Sequence, residues 1–479
     1  MESLKVKIQS GVSWSAVNVV VNQVFNIALI VFLTNYLSAA TFGLFAMVAV
    51  LVQFLTVFQD VGLNASLIQK SDVNELQKST VFWINISISA VAALGLFFSA
   101  NLISRFYNTP ELVEISKLLS ISFLFNGLYS THFALATKDC RFKELAIIDI
   151  IATIFSGLGS VYLAIVGHGV FALVWRVILL KAITFMLINL VIRWLPRFVF
   201  SVKAIREMFN FGLNYSFVRI FGHFATKMDE VLLGKFSSSS DLGLYSNAFK
   251  FVLMPLTLLK GQIVKVIFPV FSGIKGDLNK IKEVSLRISA ILALIGFTLI
   301  FWIILIAPEV VEILLPEDWQ GVSSIIRLLS IYSLFEISIF PGAILLAIGK
   351  SSIYMRLMIT TKSILLAFMY IGVLKFGMVG MVIGMIGASA ISFIPYVYVS
   401  GREINLKVRE VLKVNFIPLA VTLFAAVSSY FLLESGSSFI VDSSLQRVIL
   451  KSMLYLSIAL SLFYNFQPFA LKQIINLKR

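Results

Sequence analysis

Long runs of apolar residues, separated by short polar stretches, set the pattern of this chain. A helix needs about 20 mostly apolar residues to cross a membrane. Fourteen runs of that length occur, at about 11–34, 42–64, 80–100, 116–136, 145–166, 169–192, 209–234, 242–268, 286–306, 325–347, 353–374, 378–399, 413–433 and 448–468. No polar stretch between them is long enough for a folded soluble domain, which excludes an appended catalytic domain. The pattern predicts an all-α polytopic membrane protein of about 14 transmembrane helices. The first run follows MESLKVK and is too long for the apolar region of a typical secretory signal, so it is expected to remain as an uncleaved first span.

The runs also repeat. SGVSWS at 10–15 returns as FGLNYS at 211–216, FGLFA at 42–46 as LGLYS at 242–246, and KLLSISFLF at 117–125 as RLLSIYSLF at 327–335. Three matches in order, at an offset drifting only from about 200 to 210, mean that six spans recur as six spans. An even number of spans leaves both copies in the same orientation, with their pseudo-two-fold axis along the membrane normal. The expected organisation is a six-helix lobe over 1–200, a second over 201–405, and two further helices in 406–479.

Composition agrees with the pattern: 59% of residues are hydrophobic and 13% charged, with a mean hydropathy of +0.95. A soluble domain could not bury that much apolar surface. The net charge of +15 does not imply nucleic acid, because Lys and Arg lie between oily runs rather than in a basic domain. They gather on alternate loops, among them Lys138, Arg141 and Lys143, then Lys275, Lys280, Lys282 and Arg287. The intervening loops carry only Arg105, Lys117, Lys235, Lys375, Arg447 and Lys451, with acidic Glu309, Glu312, Glu317 and Asp318. The positive-inside rule then puts both termini in the cytoplasm. The single cysteine, Cys140, falls in the inside loop TKDCRFKE and has no internal disulfide partner.

Polar residues inside the spans are the candidate chemistry. The first span carries Asn18, Asn22 and Asn26 at i, i+4, i+8, one stripe of a helix. The seventh carries Arg219, His223, Lys227 and Glu230, all within about 80° of one another at about 100° per residue. The repeat offset places Asn18 on Arg219, Asn22 on His223 and Asn26 on Lys227, so the two stripes are one face in two copies. Gln53, Asp60 and Asn64 mark a face of the second span, and Lys250 and Lys260 belong to the eighth. These four spans are expected to line a water-accessible cavity between the lobes. Two plainer readings compete. Asn side chains also glue membrane helices together, and Lys227 with Glu230 at i+3 is a structural ion pair on spacing alone. Lys235 and Lys250 can snorkel to an interface. Arg176, Lys181, Glu336 and Lys362 read as isolated, His132 and His168 as packing or loop residues, and Gly380, Gly384 and Gly387 as close-packing positions. Pro255, Pro269 and Pro341 are expected to bend their helices.

No Gly-rich phosphate loop or Cys/His cluster is present, which excludes direct ATP use and a zinc site. No nucleophile or acid constellation sits on an outer loop, as a membrane polymerase or ligase would need.

DEVLLGKFSSSSDLGLYSNAFKFVLMPLTLL at 229–259, with GVSWSAVNVVVNQ and LSAATFGLFAMV of the first hairpin, resembles the bacterial polysaccharide transporter family of the multidrug/oligosaccharidyl-lipid/polysaccharide flippase superfamily. The likeness covers essentially the whole chain. SSSS at 237–240 departs from the Gly and acidic residue common in relatives. The resemblance implies a flippase of undecaprenyl-diphosphate-linked oligosaccharide, such as an O-antigen, colanic acid or teichuronic acid unit. It further implies two lobes opening alternately in the bacterial inner membrane, and a polymerase and glycosyltransferases as working partners. On that reading Arg219, Lys227, Lys250 and Lys260, with His223 and the Asn stripe, meet the anionic lipid diphosphate. Asp60, Asp229 and Glu230 pair with these cations or bind a coupling proton or sodium ion. No cofactor is implied. An ion-coupled multidrug exporter of the same superfamily is the alternative; it would favour acidic, aromatic walls, whereas the candidate residues here are four cations against three acids.

Overall fold

The computed structural model describes residues 2–59, 62–70, 72–201, 203, 224, 227–274, 276–338, 341–436 and 443–466. Among these residues the secondary structure is helical, without strands. The helices are α1 (Glu2–Leu33), α2 (Ala39–Gln59), α3 (Leu63–Gln69), α4 (Glu75–Tyr107), α5 (Leu112–Lys138), α6 (Phe142–Ile165) and α7 (Val170–Val191). They continue as α8 (227–236), α9 (Ser239–Gly273), α10 (Leu278–Leu314), α11 (Val322–Ser338), α12 (Pro341–Ala347), α13 (Ser351–Arg402), α14 (Val408–Gly436) and α15 (Ser444–Phe466). Ten of them are long and apolar enough to cross a membrane. One of the ten, α13, leaves helical geometry at Phe376 and Gly377, so its two arms coincide with the separate runs expected at 353–374 and 378–399. The run at 209–234 lies mostly outside the described residues. Those at 242–268 and 325–347 correspond to α9 and to α11 with α12.

The chain divides into two compact units, Met1–Gly243 and Leu244–Arg479. The division falls inside the first turns of α9, beyond the boundary at 200 that the repeat suggests, and residues 406–479 belong to the second unit.

Local chemistry explains where the helices start and stop. Asn74 and Gln77 form a capping box at the head of α4: the Asn74 side chain accepts the Gln77 N–H at 2.8 Å, and the Gln77 side chain accepts the Asn74 N–H at 3.3 Å. The same helix ends at Asn108 in left-handed geometry, φ 55°. Asp277 caps α10 by accepting the Lys280 N–H at 3.0 Å. Of the expected proline bends, that at Pro341 adjoins residues 339–340, which lie outside the described residues. By contrast, α9 runs through Pro255 and Pro269 without interruption.

Hydrocarbon gives little drive for helices to associate, so small residues and polar bonds set the packing. In the first unit a methyl at Gly127 of α5 would meet the Ser89 side chain of α4, and one at Gly157 of α6 would meet the Phe25 ring of α1. Buried polar bonds link α2 to α4 and α5: Gln59 donates to Ser89 at 2.9 Å and accepts from Asn126 at 2.8 Å. Asn85 donates to Asn64 at 3.0 Å and to Thr131 at 2.9 Å. His132 is a packing residue, its ring edge-on to Phe82 and Trp194 and its Nε2 3.1 Å from the Trp194 carbonyl. In the second unit Gly380 and Gly384 bring the arms of α13 together, against the carbonyls of Gly372 and Phe368; Gly387 makes only ordinary contact with the Phe368 ring.

Two charges read as outer-loop residues lie elsewhere. Glu309 of α10 and Lys451 of α15 are buried, 6% and 9% exposed, and form an ion pair. The helices outrun the apolar runs: α10 has 37 residues, about 55 Å at ~1.5 Å per residue against a hydrocarbon core of ~30 Å. The pair is one of several ties that dock α14 and α15 on α10. Trp302 Nε1 donates to Ser452 Oγ at 2.9 Å, the Tyr455 hydroxyl donates to the Thr298 carbonyl at 2.9 Å, and Ser289 Oγ donates to Asn415 Oδ1 at 3.2 Å. Lys451→Ala should therefore lower stability by about 3–5 kcal/mol, by stranding a buried carboxylate, whereas Lys451→Met with Glu309→Leu should be close to neutral. Thermal unfolding in detergent checks this; equal losses for the single and double variants would mean that packing, not charge, sets the cost.

Candidate functional site

In the first unit the amide stripe of α1 faces α6 and α7. Asn18 Nδ2 and Asn22 Nδ2 donate to one oxygen of Asp149, Oδ2, at 3.0 and 2.9 Å, and Asn22 also donates to Asn18 Oδ1 at 2.7 Å. One turn on, the Arg176 guanidinium of α7 donates to Asn26 Oδ1. All three asparagines thus contact a charged residue or its ligand set within the helix bundle, rather than each other alone. Arg176 is not isolated, contrary to its reading from the sequence. Neither is Lys181, which donates to the Tyr129 hydroxyl at 2.9 Å and sits over that ring. Asp149 is the residue the sequence reading missed. A lone acid in LAIIDIIATIF is a costly residue in hydrocarbon and by that fact alone a candidate.

Lys227, Asp229 and Glu230 lie together on α8. Lys227 and Glu230 form the ion pair their spacing suggests. Asp229, 5% exposed, accepts the Glu230 N–H at 2.9 Å. α8 is drawn close to its neighbours by Gly234, where a methyl would come within 2.7 Å of the Tyr107 ring. Lys235 follows the snorkelling expectation, donating to the Phe106 carbonyl with its ammonium over the Phe106 ring. Beside Lys227 opens an apolar cavity of about 400 Å³, lined among others by Val50, Phe54, Leu102, Tyr107 and Met228. It has the size of a small-ligand site and one cation on its wall.

In the second unit Lys260 donates to the main-chain carbonyl of Glu336 at 2.6 Å, tying α9 to α11. Lys250 is half-buried on α9. Arg219, His223 and Asp60 lie outside the described residues.

A family model described as polysaccharide biosynthesis protein matches residues 32–324. The chain is 26% identical over 357 residues to the teichuronic acid biosynthesis protein TuaB of Bacillus subtilis, spanning 74% of each chain. It is 22% identical to the lipopolysaccharide biosynthesis protein WzxC of Escherichia coli, over 89% of this chain and 88% of that protein. It is 23% identical to the succinoglycan biosynthesis transport protein ExoT of Rhizobium meliloti, over 87% and 84%. Among solved structures, the inward closed conformation of the lipid II flippase MurJ superposes with a TM-score of 0.71 at 13% identity, over 95% of this chain and 99% of that one. The inward-facing conformation of a multidrug resistance MATE family transporter of the MOP superfamily reaches 0.59 at 16% identity, over 80% of this chain and 95% of that one.

Proposed function

The chain belongs to the family of polysaccharide biosynthesis proteins, and from that membership we propose that it is a flippase of lipid-linked oligosaccharide, moving polysaccharide repeat units on undecaprenyl diphosphate across the bacterial inner membrane by alternating access. The observation that carries the reading is the placement of charge. A protein built only to span the membrane has no use for clustered ionised groups inside a helix, yet this one keeps Lys227, Asp229 and Glu230 together on α8 beside an apolar cavity. A cation next to an apolar wall suits an amphiphile with an anionic head. Lys250 and Lys260 add cations on α9, and Arg219 and His223 extend the same helical stripe as Lys227 in the sequence. The names of the relatives, from teichuronic acid to lipopolysaccharide and succinoglycan biosynthesis, support a polysaccharide precursor as cargo.

The chain acts as a transporter rather than an enzyme, with its termini in the cytoplasm, and a polymerase and glycosyltransferases use or supply its substrate. A proton or sodium gradient is the driving force. Asp149, with Asn18 and Asn22, is the carboxylate best placed to carry the coupling ion. It offers a carboxylate held by two amide N–H donors inside the membrane, beside an Asn22 Oδ1 that has no partner of its own. Glu230 serves the ion pair with Lys227, and Asp229 accepts the Glu230 N–H. The direct test is transport by the purified chain in proteoliposomes loaded with undecaprenyl-diphosphate-linked oligosaccharide. Sugar should become accessible to an external glycosidase, and faster with an imposed gradient. Efflux of organic cations without any sugar movement would replace this reading with that of a multidrug exporter.

A further inference from the structure

Tyr107 closes α4 and is 6% exposed, and its hydroxyl is enclosed without a hydrogen-bond partner among the described residues. A buried polar atom left unsatisfied is unfavourable and calls for a reason. The ring lies against α8: a methyl at Gly234 would come within 2.7 Å of its Cε1 and 3.3 Å of its Cδ1. The Phe106 ring stands edge-on to it at 4.8 Å, and Lys235 ties the Phe106 carbonyl to the same stretch of α8. Gly234 is four residues after Glu230, so both stand on one face of α8, one turn apart. The closer contact is at the hydroxyl end of the ring, and the Glu230 charge acts on the phenol. Yet no hydrogen bond joins the two here; Lys227 holds the carboxylate instead. Tyr107 and Lys227 line the same apolar cavity.

On the flippase reading Lys227 meets an anionic head. When it does, Glu230, 8% exposed, loses the ammonium that pairs with it. An uncompensated buried charge is strongly destabilising, so binding would work against the fold it depends on. We propose that Tyr107 is the stand-in partner of Glu230: when Lys227 turns to the anionic head of an amphiphile in the cavity, the Tyr107 hydroxyl donates to the Glu230 carboxylate. The cargo in this exchange rests on the flippase reading; the exchange itself rests on the contact of α4 with α8. A neutral hydroxyl recovers only part of what the ammonium supplied, which keeps the exchange reversible. With Lys227 on Glu230 the hydroxyl is left over, so that with Lys227 on the substrate the carboxylate is not. Tyr107 is thus a positioning residue: it acts through Glu230 and frees Lys227.

Tyr107→Phe removes the hydroxyl and keeps the ring. Alone it should leave the unfolding temperature in detergent unchanged or slightly raised, since no formed bond is lost. In a Lys227→Ala background, where the hydroxyl has taken the carboxylate, the same substitution should lower it by about 2 °C or more. Tyr455→Phe breaks a formed bond to the Thr298 carbonyl and should lower it in both backgrounds. Binding of undecaprenyl diphosphate to the purified protein reads the exchange from the ligand side. Tyr107→Phe should weaken it roughly tenfold or more, as for one hydrogen bond to a charged group, and leave binding of uncharged undecaprenol unchanged. In a Glu230→Gln background, with no charge to satisfy, Tyr107→Phe should have no effect on either lipid. The same temperature shift from Tyr107→Phe in the native and Lys227→Ala backgrounds, zero included, would overturn the proposal. So would undecaprenyl diphosphate binding that is measurable in the native protein and unchanged in Tyr107→Phe. Failure of the native protein to bind undecaprenyl diphosphate, with the temperature pattern intact, would refute the cargo and keep the exchange.

Discussion

Exchanging the charges of one ion pair, Lys227→Glu with Glu230→Lys, should give a protein that folds and inserts normally but exports poorly. The pair is formed within α8, and Glu230 is 8% exposed. Lys227→Ala alone strands that carboxylate and should cost roughly 3 kcal/mol or more of stability. The exchange keeps the attraction and most of the burial, so unfolding temperatures in detergent should return toward the parent value. Export should not return, because a carboxylate then stands where an anionic head approaches the apolar cavity beside residue 227. Full export by the exchanged protein would reduce Lys227 to a structural partner of Glu230 and remove it from the substrate path.

Asp149→Asn should abolish most export while leaving the helices in place. Asn18 and Asn22 both donate to Asp149 Oδ2, and an asparagine at 149 still offers an oxygen there. A purely structural role therefore predicts a mild effect. A role in holding the coupling ion predicts a fall in export of about tenfold or more, equivalent to ~1.4 kcal/mol or more, together with loss of the response to an imposed gradient. Asp149→Ala should in addition lower stability by about 1–3 kcal/mol, since it leaves two amides without their acceptor. Gradient-driven export measured beside thermal unfolding separates the outcomes. Normal, gradient-dependent export by Asp149→Asn would place the coupling ion elsewhere.

Much of this architecture is readable in the chain because it follows from local rules. Apolar run length located the ten spans found among the described residues, including both arms of α13. Helical spacing alone paired Lys227 with Glu230. Partners far apart in the chain are where sequence reasoning stopped. The amide stripe of α1 was legible as a stripe, yet its acceptor lies 131 residues from Asn18 and 127 from Asn22. A helical period tells which residues share a face; it cannot tell which helix that face will meet. Glu309 and Lys451 were misplaced for a related reason. Charge near the end of an apolar run reads as a loop, but when two helices both continue past the hydrocarbon the charges can pair between them.

That last pair also bears on how the protein is made. Glu309 and Lys451 are 142 residues apart, so a chain synthesised from its N-terminus places α10 in the membrane well before α15 exists. At about 5–20 residues per second the wait is on the order of ten seconds. Throughout it Glu309 lacks its lysine and Trp302 lacks Ser452. An unpaired acid in a membrane helix is an exposed mark of incompleteness, and it disappears only when α15 docks. Docking of α15 thus removes that mark as well as extending the bundle, and a chain cut short before residue 444 would keep it, open to whatever machinery removes unfinished membrane proteins.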